Sequence, residues 1–444
     1  MNAKEMRLGA ADAAWWRMEE PANQMVITGV LTFAAPITYE QMERRVRERM
    51  LPLAPFRSRL QEPPLGIGRP RWAPDPGFTL ERHLRRATLP APAGDAELQA
   101  FVGRVMSERL DPAHALWHFH LVENYGDGCA LVARLHHCIA DGMALIQLLL
   151  TLDDVPGNEG PAHVGWTPRT AALPEPLRPA GVPARIAAAT RLAAKFLASL
   201  ARIVFIRPDP RTALGGRLGA RKAAAWCDPF PLAEIRAAAK ASGSTLNDVL
   251  AAATAGAIGR YLQASGRPAG RSLRAVVPVN LRPCEDASLL GNRFGLVFLT
   301  LPVGVADPAE RLTLIGAEMR RLKASVEAGV TYALLRIFGP AGRLLVRFAV
   351  WFLGMKASLV FTDVPGPREA VEICGAPLTR VLAWVPQSGR LSVGVSAVSY
   401  AGQVQVGIAV DAGLVPDPGA LVDAFRLSLR ELVERAPAPV LQEA

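Results

Sequence analysis

The stretch Leu131–Leu150, LVARLHHCIADGMALIQLLL, joins one apolar run to another through His136, His137, Asp141 and Gly142. Ala130 to Leu135 is short and apolar apart from Arg134, which suits a largely buried strand. Met143 to Leu150 carries long, helix-favouring side chains. The two histidines therefore sit where a strand ends and a loop begins. Side chains alternate along an extended chain, so His136 and His137 face opposite ways and only one looks into a given cavity. An imidazole titrates near neutrality and, held by its own backbone and a nearby carboxylate, suits proton abstraction. Asp141 is placed to hold the loop by pairing with an arginine from elsewhere, and Gly142 to let the backbone turn sharply into the helix. No serine nucleophile is implied. The bland alternatives are a metal pair and two core histidines; adjacent side chains diverge and the helical H-x-x-x-H spacing is absent, so the pair makes a poor zinc site, and neither metal nor cofactor is expected.

A chain of 444 residues, half of them apolar, has room for two domains with a core each. The formal charge of +10 suits nucleic acid, anionic lipid or small anionic substrates. The basic residues are mostly arginine in a chain rich in alanine, glycine and proline, as a GC-rich genome produces for any function. With no nucleic-acid motif and 6% aromatic residues, nucleic-acid binding is not expected. Cys129, Cys138, Cys227, Cys284 and Cys374 are irregularly spaced and read as reduced cytosolic thiols, with Cys138 a small packing residue. The N-terminus lacks an apolar stretch of signal-peptide length, and no uncharged apolar run reaches the roughly 18 residues of a span. The expectation is a cytoplasmic protein that does not cross the membrane.

Along the chain, Met25–Phe33 reads as a strand, and Thr38 with Gln41 as a capping box opening a helix with Met42, Val46 and Met50 on one face. Gln61–Pro76 is expected as an ordered loop carrying Trp72, and Leu98–Leu110 as an amphipathic helix. Asp153–Pro183, crowded with proline and glycine, is the natural linker. Beyond about Lys222 come a helix over Pro231–Ala241, then another capped by Ser244, with Asn247 and Asp248 in its first turn. Strands follow at Leu273–Val279 and Leu296–Val303, then a helix begun by Asp307 and Pro308 and running to Val326. Leu334–Gly354 is strongly apolar yet contains Arg336, Arg343 and Arg347, which argues for a buried or interfacial helix. Late strands at Leu391–Tyr400 and Val404–Val410 precede a helix capped at Asp417. The order of elements gives an α/β two-layer class divided as 1–152, a linker region 153–221, and 222–444.

HHCIADG resembles the HHxxxDG signature of the CoA-dependent acyltransferase superfamily. Further stretches narrow the likeness: MRLGAADAAWWRMEEPANQM, FRSRLQEPPLGIGRPRW, HALWHFHLVE, STLNDVL, VPVNLRP, LGNRFG, TDVPGP and VSYAGQVQVGIAVD. In this order they resemble the bacterial wax ester synthase/diacylglycerol acyltransferase family over nearly the whole chain, most weakly between Asp153 and Lys222. The resemblance implies two chloramphenicol-acetyltransferase-like domains with a tunnel between them. It implies transfer of a long-chain acyl group from acyl-CoA to a fatty alcohol or diacylglycerol, with His137 as general base and His136 in support. Asn247 belongs by resemblance to an Asn-Asp motif near the catalytic histidine; Asp141 with an arginine, such as Arg282, is structural. The family usually carries asparagine where this chain has Asp363, whose charge a solvated turn would tolerate. The alternatives are a condensation-type enzyme with another hydroxyl acceptor and a non-catalytic lipid-binding protein.

One more segment bears on location. Pro183–Arg207 is alanine-rich and basic, with Arg191, Lys195 and Arg202 on one helical stripe and Leu192, Phe196, Leu197, Leu200, Ile203 and Val204 on the opposite side. It is expected as a surface helix resting on the inner membrane face or on lipid droplets; the alternative is that its apolar side covers the domain junction.

Overall fold

The computed structural model describes residues 6–154, 182–266, 270–282 and 290–435. The first half contains α1 (Ala10–Met18), β1 (Val26–Phe33), α2 (Tyr39–Arg49), β2 (Ser58–Gln61), β3 (Arg71–Pro74), α3 (Leu80–His83) and β4 (Leu84–Ala87). It continues with α4 (Asp95–Ser107), β5 (Trp117–Tyr125), β6 (Gly128–His136) and α5 (Gly142–Leu150). After α6 (Val182–Phe205), the second half opens with β7 (Lys222–Trp226), β8 (Phe230–Pro231), α7 (Leu232–Ala241), α8 (Leu246–Ala264), β9 (Leu273–Asn280) and β10 (Phe294–Leu301). Helices α9 (Pro308–Lys323), α10 (Glu327–Phe338) and α11 (Arg343–Gly354) come next, then β11 (Leu359–Pro365), β12 (Glu372–Ile373) and β13 (Ala376–Trp384). The half closes with β14 (Val393–Tyr400), β15 (Gln403–Asp411) and α12 (Pro418–Glu434).

Two mixed sheets carry most of the strands, in the orders β12-β13-β1-β6-β5-β4 and β10-β9-β11-β14-β15-β7, with β8 pairing β15 and with β2 and β3 forming a separate two-stranded sheet. In the first sheet, every position of β1 and β6 is buried, because both faces are covered. Leu31, Leu131 and Leu135 pack on one side, while Val30 and Val132 meet Leu98, Phe101 and Val105 of α4 on the other. Double burial explains why β6 reads as a continuous apolar run rather than an alternating one. The second sheet packs one face on α8, α9 and α12. The AAATAGAIG segment of α8 serves close backbone packing: a Cβ on Gly259 would stand 2.2 Å from the Val303 carbonyl oxygen.

Several sequence boundaries shift. Glu372–Trp384, expected in the second domain, completes the first sheet instead, with β13 pairing antiparallel to β1. The division 222–444 is therefore crossed by the chain. Thr245, not Ser244, caps α8 in a reciprocal box with Asp248. Helix α9 ends at Lys323, and the Leu334–Gly354 stretch splits into α10 and α11 around Gly339–Gly342. Trp72 is a buried packing residue. The expected linker lies largely outside the described residues.

Helix α6 forms as expected, but both of its sides are divided. Ile203 is buried with Phe196 and Leu200 beside Phe298, Val330 and Val360, whereas Leu192, Leu197, Val204 and Phe205 remain exposed. Arg202 leaves the basic stripe: it pairs with Glu327 at 2.7 Å. That carboxylate also accepts from the Phe298 amide at 2.8 Å, so Arg202 anchors the helix to the protein.

Asp363 is not in a solvated turn. It lies inside β11 opposite Ala397, beyond the two residues at which β9 pairs with β11. Asp363 is only partly enclosed, yet the burial it has pushes its carboxyl up to about 7 from an ordinary 3.8, and among the described residues no cation offsets the shift. The folded protein thus holds a proton there that the unfolded chain releases, so stability falls as pH rises from about 4 to 7. Asp363→Asn is expected to abolish that fall and to unfold at higher denaturant than wild type above pH 7, by about 1 to 3 kcal/mol. Equal pH profiles of the two proteins in urea titrations would contradict this.

Candidate active site

Strand β6 ends at His136, and the chain leaves the sheet by backbone bonds that fix each histidine. The His136 amide donates to the Leu116 carbonyl at 3.0 Å and the His137 amide to the Met25 carbonyl at 2.7 Å. The rings diverge as the strand alternation requires. His136 turns toward Glu19, with Nε2 2.7 Å from the carboxylate, and its Nδ1 accepts from the Cys138 amide at 3.1 Å. Because Nδ1 accepts, the proton of the neutral ring sits on Nε2, facing Glu19. Burial raises the Glu19 carboxyl, but the hydrogen bond from His136, with the charge of Arg109, outweighs it and holds the group below its ordinary range. His136 is thus committed to the interior of the first half.

His137 enters a different environment. Trp15 stacks on its ring at 4.2 Å and Phe294 lies 5.4 Å away, so one wall comes from each half of the chain. Burial drives the imidazole down to about 4, against the opposing influence of Asp141, its own backbone and Asn292. It is therefore neutral, as a general base must be, throughout the physiological range. Burial also raises the Cys138 thiol well above its ordinary value, which leaves it protonated and unreactive.

The loop between them is clamped by the second half. Arg282, two residues beyond β9, donates to Asp141 Oδ2 at 3.0 Å and to the Gly291 carbonyl at 2.9 Å. Asp141 Oδ1 meanwhile accepts from the Ala144 amide at 2.9 Å, so one carboxylate caps α5 and ties the halves together. The Gly291 amide donates to the Ile139 carbonyl at 2.9 Å. Asn292 donates from its backbone and from Nδ2 to Asp12 Oδ1, both at 2.7 Å, and from Nδ2 to the His137 carbonyl at 2.7 Å. Burial lifts Asp12 to about 6 even though Asn292 opposes the shift. Asp12 and Asn292 also line a cavity of 550 Å³ rimmed by Arg69, Arg293, Tyr332 and Arg336.

The structure thus brings together His136, His137, Asp141, Gly142 and Arg282. Gly142 does not make the sharp turn expected of it: it has no positive φ, since the Asp141 cap already starts the helix there. Asn247 does not join the set. It is exposed in the first turn of α8, and among the described residues no hydrogen bond links it to the loop. Asp12, Trp15, Glu19, Asn292 and Phe294 escaped the sequence reading. They lie in the GAADAAWWRMEE and GNRFG stretches, but their roles come from contacts as distant as 280 residues, for which no local periodicity exists.

The chain matches the wax ester synthase/diacylglycerol acyltransferase catalytic domain over residues 8–250 and the WS/DGAT C-terminal domain over residues 290–433. It is 30% identical over 404 residues to a Mycobacterium tuberculosis protein named "Probable diacyglycerol O-acyltransferase tgs1", covering 87% of this chain and 86% of that one. A solved wax ester synthase/diacylglycerol acyltransferase from Marinobacter aquaeolei VT8 superposes with a TM-score of 0.70 at 25% identity, over 97% of this chain and 100% of that one. The first condensation domain of the calcium-dependent antibiotic synthetase shares the fold at TM-score 0.63 and 18% identity, over 98% and 97% of the two chains.

Two substitutions separate the clamp from the turn. A Cβ at Gly142 would meet only Val385 at 3.6 Å, an ordinary contact, so Gly142→Ala is expected to leave melting and turnover near wild type. Asn292→Ala strands Asp12 and the His137 carbonyl, and is expected to cost about 1 to 3 kcal/mol in denaturant titration together with turnover. The opposite ranking would refute this division of roles.

Proposed function

The chain belongs to the wax ester synthase/diacylglycerol acyltransferase family, and we propose that His137 is the general base of this acyl-CoA-dependent O-acyltransferase. The observation that carries this reading is the neutral, enclosed imidazole between Trp15 and Phe294, set at the junction of the two halves. Its Nδ1 is buried, so the substrate hydroxyl is assigned to Nε2. The acceptor is a fatty alcohol or a diacylglycerol. Nε2 takes the hydroxyl proton as the oxygen attacks the thioester carbonyl of a long-chain acyl-CoA. The imidazolium then returns that proton to the departing CoA thiolate as the carbon–sulfur bond breaks. The products are a wax ester or triacylglycerol and free CoA. The proton starts on the alcohol and ends on the thiol, so the step needs no acyl-enzyme, metal or cofactor. His136, Asp141, Arg282 and Asn292 position the base; Asn247 has no assigned step.

Acceptor and product both partition into lipid, which supports a peripheral site of action on the inner membrane face or on lipid droplets. Among the described residues, no helix is long and apolar enough to cross a membrane.

General-base catalysis contributes roughly 10²- to 10⁴-fold. His137→Ala is expected to lose at least that much CoA release, measured over a panel of acyl-CoAs and acceptors, while remaining folded. A larger loss in His136→Ala than in His137→Ala would transfer the role. The pH profile supplies an independent check. Protonation of the base stops the reaction, and its pKa lies near 4 rather than 6.5, so the acid limb due to His137 falls near pH 4. An acid limb near 6.5 that persists in Asp12→Asn would show that the base is solvated or is another group.

A further inference from the structure

Helix α11 carries two apolar stripes. Val346, Val350 and Leu353 seat it on the protein. Leu344, Phe348 and Trp351, spaced i, i+4, i+7, form the second stripe and are 85%, 59% and 51% exposed. The helix has no acidic residue. Phe348 lies 5.8 Å from Trp351 and 6.3 Å from Phe352, so the outward side is an aromatic ridge standing in solvent. The Gly68 amide donates to the Pro340 carbonyl at 2.8 Å, which holds the loop Pro64–Arg69 against the α10–α11 junction. That loop adds Leu65 and Ile67, and the end of α10 adds Ile337, all exposed. Apolar side chains gathered in this way on one surface mark an interaction site rather than scattered exposure.

Charge decides the kind of partner. Arg69, Arg336 and Arg343 are exposed around the ridge, and the nearby Glu20 is already paired with Arg347 at 2.7 Å. A two-fold contact between copies of this chain would set these arginines against one another, whereas lipid phosphates complement them. Tryptophan beside arginine is also the composition that settles at the boundary of headgroups and acyl chains. Helix α6 is less suited, since half its apolar side is seated and Arg202 is held by Glu327. The same face borders the active site: Arg69 and Arg336, next to Ile67 and Ile337, line the 550 Å³ cavity whose lining includes Asp12 and Asn292.

Resting on the reading that the acceptor is a lipid hydroxyl, we infer that α11 and the loop Pro64–Arg69 dock on an anionic phospholipid surface. The acceptor then passes from that surface between Arg69 and Arg336 and along the cavity to His137.

The test is co-sedimentation of the full chain with sucrose-loaded phosphatidylcholine vesicles, with and without phosphatidylglycerol. The variant is Leu344→Ser/Phe348→Ser/Trp351→Ser; Leu192→Ser/Leu197→Ser/Phe205→Ser on α6 is the comparison. Loss of one well-buried large apolar side chain weakens partition about tenfold, so the α11 variant should lose ~100-fold or more while the α6 variant still sediments. It should also keep CoA release with a water-soluble short-chain alcohol and lose it with vesicle-borne diacylglycerol. Wild-type sedimentation of the α11 variant overturns the inference, as does failure of the wild type to bind these vesicles. A wild-type dimer that becomes monomeric in the α11 variant, with vesicle binding unchanged, assigns the face to a second copy and also overturns it. Should no acceptor support CoA release in the wild type while sedimentation follows the α11 ridge, the catalytic reading fails and the docking face stands.

Discussion

The Asp141–Arg282 pair is the interaction on which the catalytic arrangement depends. Both groups are nearly sequestered from solvent, and they come from opposite halves of the chain. Two charges in such a place are costly unless paired and hydrogen-bonded, and here the remaining valences are largely used: Asp141 caps α5 and Arg282 also binds the Gly291 carbonyl. Gly291 and Asn292 then follow in register with the histidine loop, so Phe294 arrives beside His137 at the start of β10. The second half therefore supplies a wall and part of the clamp of a site whose paired histidines belong to the first.

That arrangement explains why two adjacent histidines differ so much. His136 meets a carboxylate and a backbone donor inside one half, which fixes its tautomer. His137 meets aromatic faces and an amide, which keep it dry and neutral. Dryness favours the neutral ring and raises the cost of forming its cation, so in the proposed general-base role the imidazolium would be brief. Asp141 and the backbone of His137 oppose the burial and favour that transient charge.

Much of the fold was legible because local rules and tertiary packing agree. The Thr38–Gln41 box, the Asp307–Pro308 start and the Asp417 cap all form where their side chains can reach the first-turn amides. The stretch around HHxxxDG was legible for the same reason: an apolar run ending at paired histidines marks a buried strand meeting a loop. What local sequence does not encode is which distant segment completes a site. Crossing of Glu372–Trp384 into the first sheet leaves no mark in its alternation, since a strand reads the same in either sheet. Asp12 and Asn292 look like ordinary helix-start and loop residues until they meet. Arg202 belongs to a basic stripe on a helical wheel, yet the buried Glu327 carboxylate claims it.

The most direct measurement is a double-mutant cycle on Asp141→Asn and Arg282→Met, read both as unfolding free energy and as CoA release. If the pair joins the halves around the base, each single variant leaves a buried group uncompensated, costs about 3 to 5 kcal/mol, and lowers turnover in step. The double variant should then cost less than the sum, by about 0.5 to 3 kcal/mol. Additive losses, or a fall in turnover with unfolding unchanged, would contradict the account and make Asp141 a direct participant in the chemistry.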